Sequence, residues 1–130
     1  MPYMRMEHDV DPAEVIRKEM GNISDIEIFH NQVLVAVYIR PEKTKSGLYL
    51  SAQTRDEDRY QGKVGLIIKK GADAFVDDTG KWFKGVNLDV GDWIYFRPSD
   101  GWAITVHGQL CRILDDTDVR GRIPTPDCIW

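Results

Sequence analysis

The side chains here that could do chemistry are three histidines, two cysteines and two short acidic runs. His8, His30 and His107 stand far apart, each beside a turn or strand end, and read as satisfied turn or surface histidines. No HxxxH or paired Cys/His spacing suggests zinc. Cys111 lies inside the apolar run QLCRIL and reads as a small buried hydrophobe, while Cys128 sits near the C-terminus with no CxxC partner. Asp56-Glu57-Asp58 reads as a solvated loop. Asp115-Asp116-Thr117-Asp118 lacks the longer alternation of oxygen ligands and the closing glutamate of a calcium loop, and Asp116 is expected to cap a turn there. There is no GxGxxG, no GxxxxGK[ST] and no G-x-S-x-G. Trp82, Trp93, Trp102 and Trp130 lack the basic neighbours of a nucleotide or sugar platform and read as packing residues. No catalytic residue, metal site or cofactor is expected.

What stands out instead is KTKSGLYLSAQTRDEDRYQG, from Lys43 to Gly62. It is polar and loop-like except for one apolar knot, Leu48-Tyr49-Leu50. The rest of the composition is ordinary. The chain has 130 residues, 42% hydrophobic and 29% charged, which suits one globular domain. Its 21 acidic and 17 basic residues leave a net charge of −4, which weighs against nucleic acid as the main partner. No apolar run is long enough to span a membrane, and no secretory h-region is visible, so the cytosol is the expected compartment.

The knot must be held by β structure. DPAEVIRKEMGN first spells a short helix: Asp11 caps it, Pro12 opens it, Glu14 completes a capping box, and Gly21 or Asn22 closes it. Val15, Ile16 and Met20 are expected to share its apolar face, against this chain or a neighbouring one. QVLVAVYIR is a strand with Val33, Val35, Val37 and Ile39 on one face and Leu34, Ala36 and Tyr38 on the other. KVGLIIKKG is a second, with Val64, Leu66 and Ile68 on one face and Gly71 at its end. ADAFVDDTGKWFKG reads as a hairpin turning at Asp77–Gly80. NLDVGDWIYFRP turns at Val90-Gly91-Asp92 into a strand, and GWAITVHGQLCRIL is two strands joined at His107-Gly108. A last strand is expected from Val119 to Ile123. Short strands at this spacing suggest a small barrel, whose closure removes exposed edges.

These pieces, in this order, resemble the GroES-like co-chaperonin (chaperonin-10) family. IFHNQVLVAVYIR followed by KTKSGLYL is similar to its first strand and mobile loop, and GKVGLIIKKG to the next strand. GVNLDVGDWIYF matches its Val-Gly-Asp turn, and CRILDDTDVRGRI its closing strand, acidic turn and final short strand. The resemblance implies an all-β fold, a small irregular β-barrel with a long mobile loop and a roof hairpin over 26–123. It also implies a homo-oligomeric ring, usually of seven, in which segment 30–39 meets segment 119–124 of a neighbour. Val33, Val35, Val37, Val119, Arg120 and Ile123 would then line the subunit interface. The loop would bind a chaperonin ATPase ring through Gly47, Leu48, Tyr49 and Leu50, closing a folding chamber without catalysis of its own.

The chain departs from that pattern in two ways. It adds a helical arm over 1–25 and a tail over 124–130, and it carries Tyr49 where the family favours a small aliphatic residue. The additions raise an alternative, a phage virion or capsid-decorating protein that reuses the fold and contacts other virion proteins. The similar domain of zinc-dependent dehydrogenases fits less well, since the zinc ligands and the dinucleotide domain are absent.

Overall fold

The computed structural model describes residues 11–39, 62–76 and 88–126. Helix α1 spans Pro12–Met20, with Pro12 at its start. The Asp11 carboxylate accepts from the Ala13 N–H at 3.0 Å, satisfying a donor that the first turn cannot. Gly21, at φ 62°, ends the helix and donates its N–H to the Arg17 carbonyl. The buried face is Ala13, Ile16 and Met20, at spacings of three and four. Val15 was expected on that face but is 40% exposed. At roughly 100° per residue it lies about 200° round from Ala13, on the solvent side.

The helix packs on its own chain. Ala13, Ile16 and Met20 join one apolar cluster with Leu34, Ala36, Tyr38, Leu66, Ile68 and Cys111. Two polar ties reinforce the docking. His107 Nδ1 meets the Met20 carbonyl at the helix end. Lys69 Nζ donates to the Ile23 carbonyl at 3.0 Å and to the Ile26 carbonyl, pinning the segment that leads into the sheet. Hydrogen bonds from charged donors are worth about 1.5–3 kcal/mol. Lys69→Met keeps the side-chain stem and removes the ammonium. It should therefore speed amide exchange over residues 11–28 several-fold while the strands stay protected, measurable by hydrogen exchange with mass spectrometry.

The sheet has six strands: β1 Gln32–Val37, β2 Val64–Lys70, β3 Trp93–Tyr95, β4 Trp102–Val106, β5 Gln109–Asp115 and β6 Gly121–Ile123. Their order is β4-β5-β1-β2-β3-β6, and every pairing is antiparallel. β1 is central, with β5 along one edge and β2 along the other. The near-continuous apolar sequence VLVAVY follows, because both faces of β1 are covered. Val33, Val35 and Val37 pack with Ile67, Ile94, Phe96 and Leu114. Leu34, Ala36 and Tyr38 pack with Val64, Leu66, Ile68 and Trp93 under α1. The alternation expected from sequence holds for both strands.

Gly71 ends β2, as expected, because nothing larger fits. A Cβ there would fall 2.3 Å from the His30 carbonyl oxygen, and its N–H donates to the Gln32 carbonyl at 2.8 Å. The β4–β5 turn is two residues, His107 at φ 50° and Gly108 at φ 82°, the left-handed pair that matches strand twist. The last strand is shorter than the expected 119–123. Asp116–Asp118 instead forms a 3-10 turn, and the Arg120 N–H reaches the Tyr95 carbonyl at 3.0 Å just before β6 begins. Among the described residues, β4 and β6 are the two ends of the sheet, with no pairing between them. The expected hairpin tip at Asp77–Gly80 and the segment 40–61 lie outside the described residues.

Candidate functional site

The apolar knot Gly47, Leu48, Tyr49 and Leu50 also lies outside the described residues. The residues on either side of it, where the chain leaves β1 and re-enters β2, are within them and are tied by hydrogen bonds and packing. The chain leaves β1 through Tyr38 and Ile39 and returns through Gly62 and Lys63 into β2. The Tyr38 N–H donates to the Val64 carbonyl at 2.9 Å, joining the outgoing and returning strands side by side. The Tyr38 ring stands edge-on to Trp93, centroids 5.7 Å apart. Gln109 Nε2 donates to the Val37 carbonyl at 3.1 Å, tying the β4–β5 turn to the same end. This end of the sheet thus holds residue 38 beside residue 64, on either side of segment 40–61.

The opposite end is organised by a buried carboxylate. Asp116, 3% exposed, accepts from Asn31 Nδ2 at 3.1 Å and from the Phe75 N–H at 3.0 Å. Its own N–H donates to the Asn31 carbonyl at 2.9 Å. Asp116 was expected as a turn cap. The turn is closed instead by Asp118, which accepts from the Asp115 N–H at 3.2 Å, leaving Asp116 free to turn inward. Phe75 sits at φ 63°, an unfavourable region for an aromatic residue, immediately before residues 77–87. Asp116 thus fixes the base from which that segment departs.

Arg112 is a second buried polar residue that the sequence reading did not single out. It donates to the Pro98 carbonyl and, at 2.7 Å, to the Asp100 carbonyl, and its guanidinium lies 5.8 Å from the Phe96 ring centroid. Burial pulls its pKa below the usual guanidinium range, and the Asp100 charge opposes that pull. Its role is to fold the Arg97–Gly101 turn, which an Arg97–Asp100 ion pair closes at 3.5 Å.

The expected interface residues separate into two groups. Val33, Val35 and Val37 are 0–1% exposed within the single chain, and both edges of their strand are already paired. They are core, not interface, because strands β2 and β5 of the same chain take the hydrogen bonds a neighbour would need. Val119 and Ile123 are half-buried and Arg120 is exposed, at the end of the sheet where β6 has an unpaired outer edge among the described residues. Beside that edge lies an open groove of about 370 Å³ lined by Gly91, Asp92, Trp93, Arg122, Ile123 and Pro124.

Among the described residues the reactive side chains do not converge. His30 and His107 are exposed in left-handed turns, His30 at the start of β1 and His107 at the β4–β5 turn. Burial pushes the Cys111 thiol up to about 11, so it is a poor nucleophile. Among the described residues no three His, Cys, Asp or Glu side chains group as a metal would require.

A two-faced antiparallel sheet with one short docked helix, ending among the described residues in β4 and β6, defines a small all-β fold. Comparison with known proteins gives the family. The model of the chaperonin 10 kDa subunit matches residues 25–123, and the chain belongs to that family. It is 33% identical over 96 residues to the co-chaperonin GroES of Dinoroseobacter shibae, covering 72% of this chain and 85% of that protein. It is 30% identical over 92 residues to the co-chaperonin GroES 3 of Bradyrhizobium diazoefficiens, covering 71% and 83%. Helix α1 precedes the matched segment.

Proposed function

We propose that the chain is a co-chaperonin, a ring-forming lid that docks on a chaperonin ATPase ring in the cytoplasm and assists protein folding. The observation that carries this reading is the family match over 25–123, together with relatives named as co-chaperonins. The loop from Pro41 to Gly62 would reach the partner, with Leu48, Tyr49 and Leu50 filling an apolar groove and Gly47 giving the backbone freedom to enter it. The paired strand ends at Tyr38 and Val64 support this, since they hold the loop's two ends together. Residues 77–87 would form the roof, set on the base that Asp116 holds.

Ring assembly, of seven by resemblance, would use the outer edge of β6 with Val119, Arg120 and Ile123. Its partner on the next subunit would be chain outside Gln32–Val37, because that strand has no free edge. The reading is tested by a refolding assay with a chaperonin ring, ATP and a denatured client. Adding the chain should raise the yield of active client. An unchanged yield at saturating chain would refute the lid.

A further inference from the structure

The two ends of the sheet are built differently. β6 has three residues, is flanked by Arg120 and Pro124 and carries Arg122 within it, so its edge is short and charged. β4 reads WAITV, with no charge, proline or glycine. Trp102 is 75% exposed, and Ala103 and Thr105 are exposed as well. Among the described residues nothing pairs with the outer side of β4.

The register says which backbone groups point outward. The two-residue turn makes Val106 and Gln109 a hydrogen-bonded pair, so Ile104–Cys111 and Trp102–Ile113 are bonded too. Ala103 and Thr105 are then the non-bonded positions, and their N–H and C=O groups face away from β5.

We propose that β4 is a self-association edge, at which two copies of the chain pair β4 with β4 antiparallel about a two-fold axis through Ile104. In this register Ala103 lies opposite Thr105 of the second copy, and the outward groups of both strands make four hydrogen bonds. Trp102 faces Val106 of the second copy and Ile104 faces itself. Aromatic and β-branched pairs of this kind stabilise antiparallel strands. No like charges meet, and on the far face the small Ala103 meets Thr105. The strand is thus complementary to itself, which an isologous contact requires. Trp102 gains cover from the Val106–His107 corner of the second copy, where the end of α1 is docked.

The pairing uses the opposite end of the sheet from β6 and stands whether or not the lid reading holds. Cysteine cross-linking tests it, in a Cys128→Ser background with Cys111 left buried. Ile104→Cys brings two thiols across a non-bonded pair, with Cα atoms about 4.5 Å apart, within disulfide range. Thr105→Cys leaves its two copies diagonal, beyond the ~7 Å that a disulfide tolerates. Under mild oxidation Ile104→Cys should form covalent dimers at least tenfold faster than Thr105→Cys, and adding Thr105→Pro should abolish them. The proline removes only an outward N–H, so the β4–β5 ladder survives. In the otherwise unchanged chain, Thr105→Pro should lower the average mass by sedimentation velocity. Equal cross-linking at both positions, or an unchanged mass with Thr105→Pro, would overturn the proposal.

Discussion

A chain carrying Leu48→Asp and Leu50→Asp should fold as the wild type does and lose measurable binding to a chaperonin ring. Burying one leucine contributes about 1.5–3 kcal/mol, and ordering each backbone residue costs about 1–2 kcal/mol. Three anchors on four or five ordered residues therefore leave a single loop close to zero net affinity. Binding must come from several loops on one ring, each later contact being intramolecular. Two aspartates remove at least about 3 kcal/mol from every loop and place charges in an apolar groove. Repeated around a ring, that exceeds the ~4 kcal/mol of a thousandfold loss. The strand ends that hold the loop do not involve residues 48 or 50, so the thermal unfolding midpoint should stay within a degree or two. Surface binding kinetics on immobilised chaperonin and a melting curve together check both halves.

Asp116→Ala should have the largest effect on stability. It removes the buried carboxylate, itself 3% exposed, that accepts from the half-buried Asn31 side-chain amide and Phe75 N–H. Each unsatisfied buried group costs about 1–3 kcal/mol, and Phe75, whose backbone is left-handed, loses one of its contacts. A loss of about 2–4 kcal/mol follows, a fall of roughly 10 °C in the midpoint for a domain of this size. Asp116→Asn can still accept from one of the two donors and should recover part of the loss. Amide exchange at Phe75 and Val76 should rise in both variants, more in the alanine. An alanine variant that melts with the wild type would show that the carboxylate does not hold this end of the sheet.

What could be read in the sequence was local. Asp11, Pro12 and Gly21 mark the ends of α1 because caps act within a turn of where they stand. Alternation around Leu34, Ala36 and Tyr38 reports two covered faces, because the period of a strand is two. His107-Gly108 marks its hairpin because few residue pairs take that backbone. The parts that did not show were long-range. Asp116 is defined by Asn31 and Phe75, 85 and 41 residues away, and in sequence it is one of several aspartates in a turn. Arg112 looks like an ordinary outward charge between apolar neighbours until the Pro98–Asp100 turn folds over it. The valines of β1 were expected at a subunit interface, and only the register of β2 and β5 shows that their strand has no free edge. Val15 was expected on the helix face, whereas the helical angle turns it to solvent and puts Ala13 on the buried side. The order of pieces that resembles the co-chaperonins survived these errors because it depends on the succession of strands and turns, not on any one side chain.

The lid reading is tested most directly by size-exclusion chromatography of the wild-type chain mixed with a bacterial chaperonin ring, with and without ATP. The wild-type chain should move into the ring fraction when nucleotide is present, and the Leu48→Asp, Leu50→Asp chain should stay behind. A folded wild-type chain that never co-elutes with the ring, with or without ATP, would contradict it.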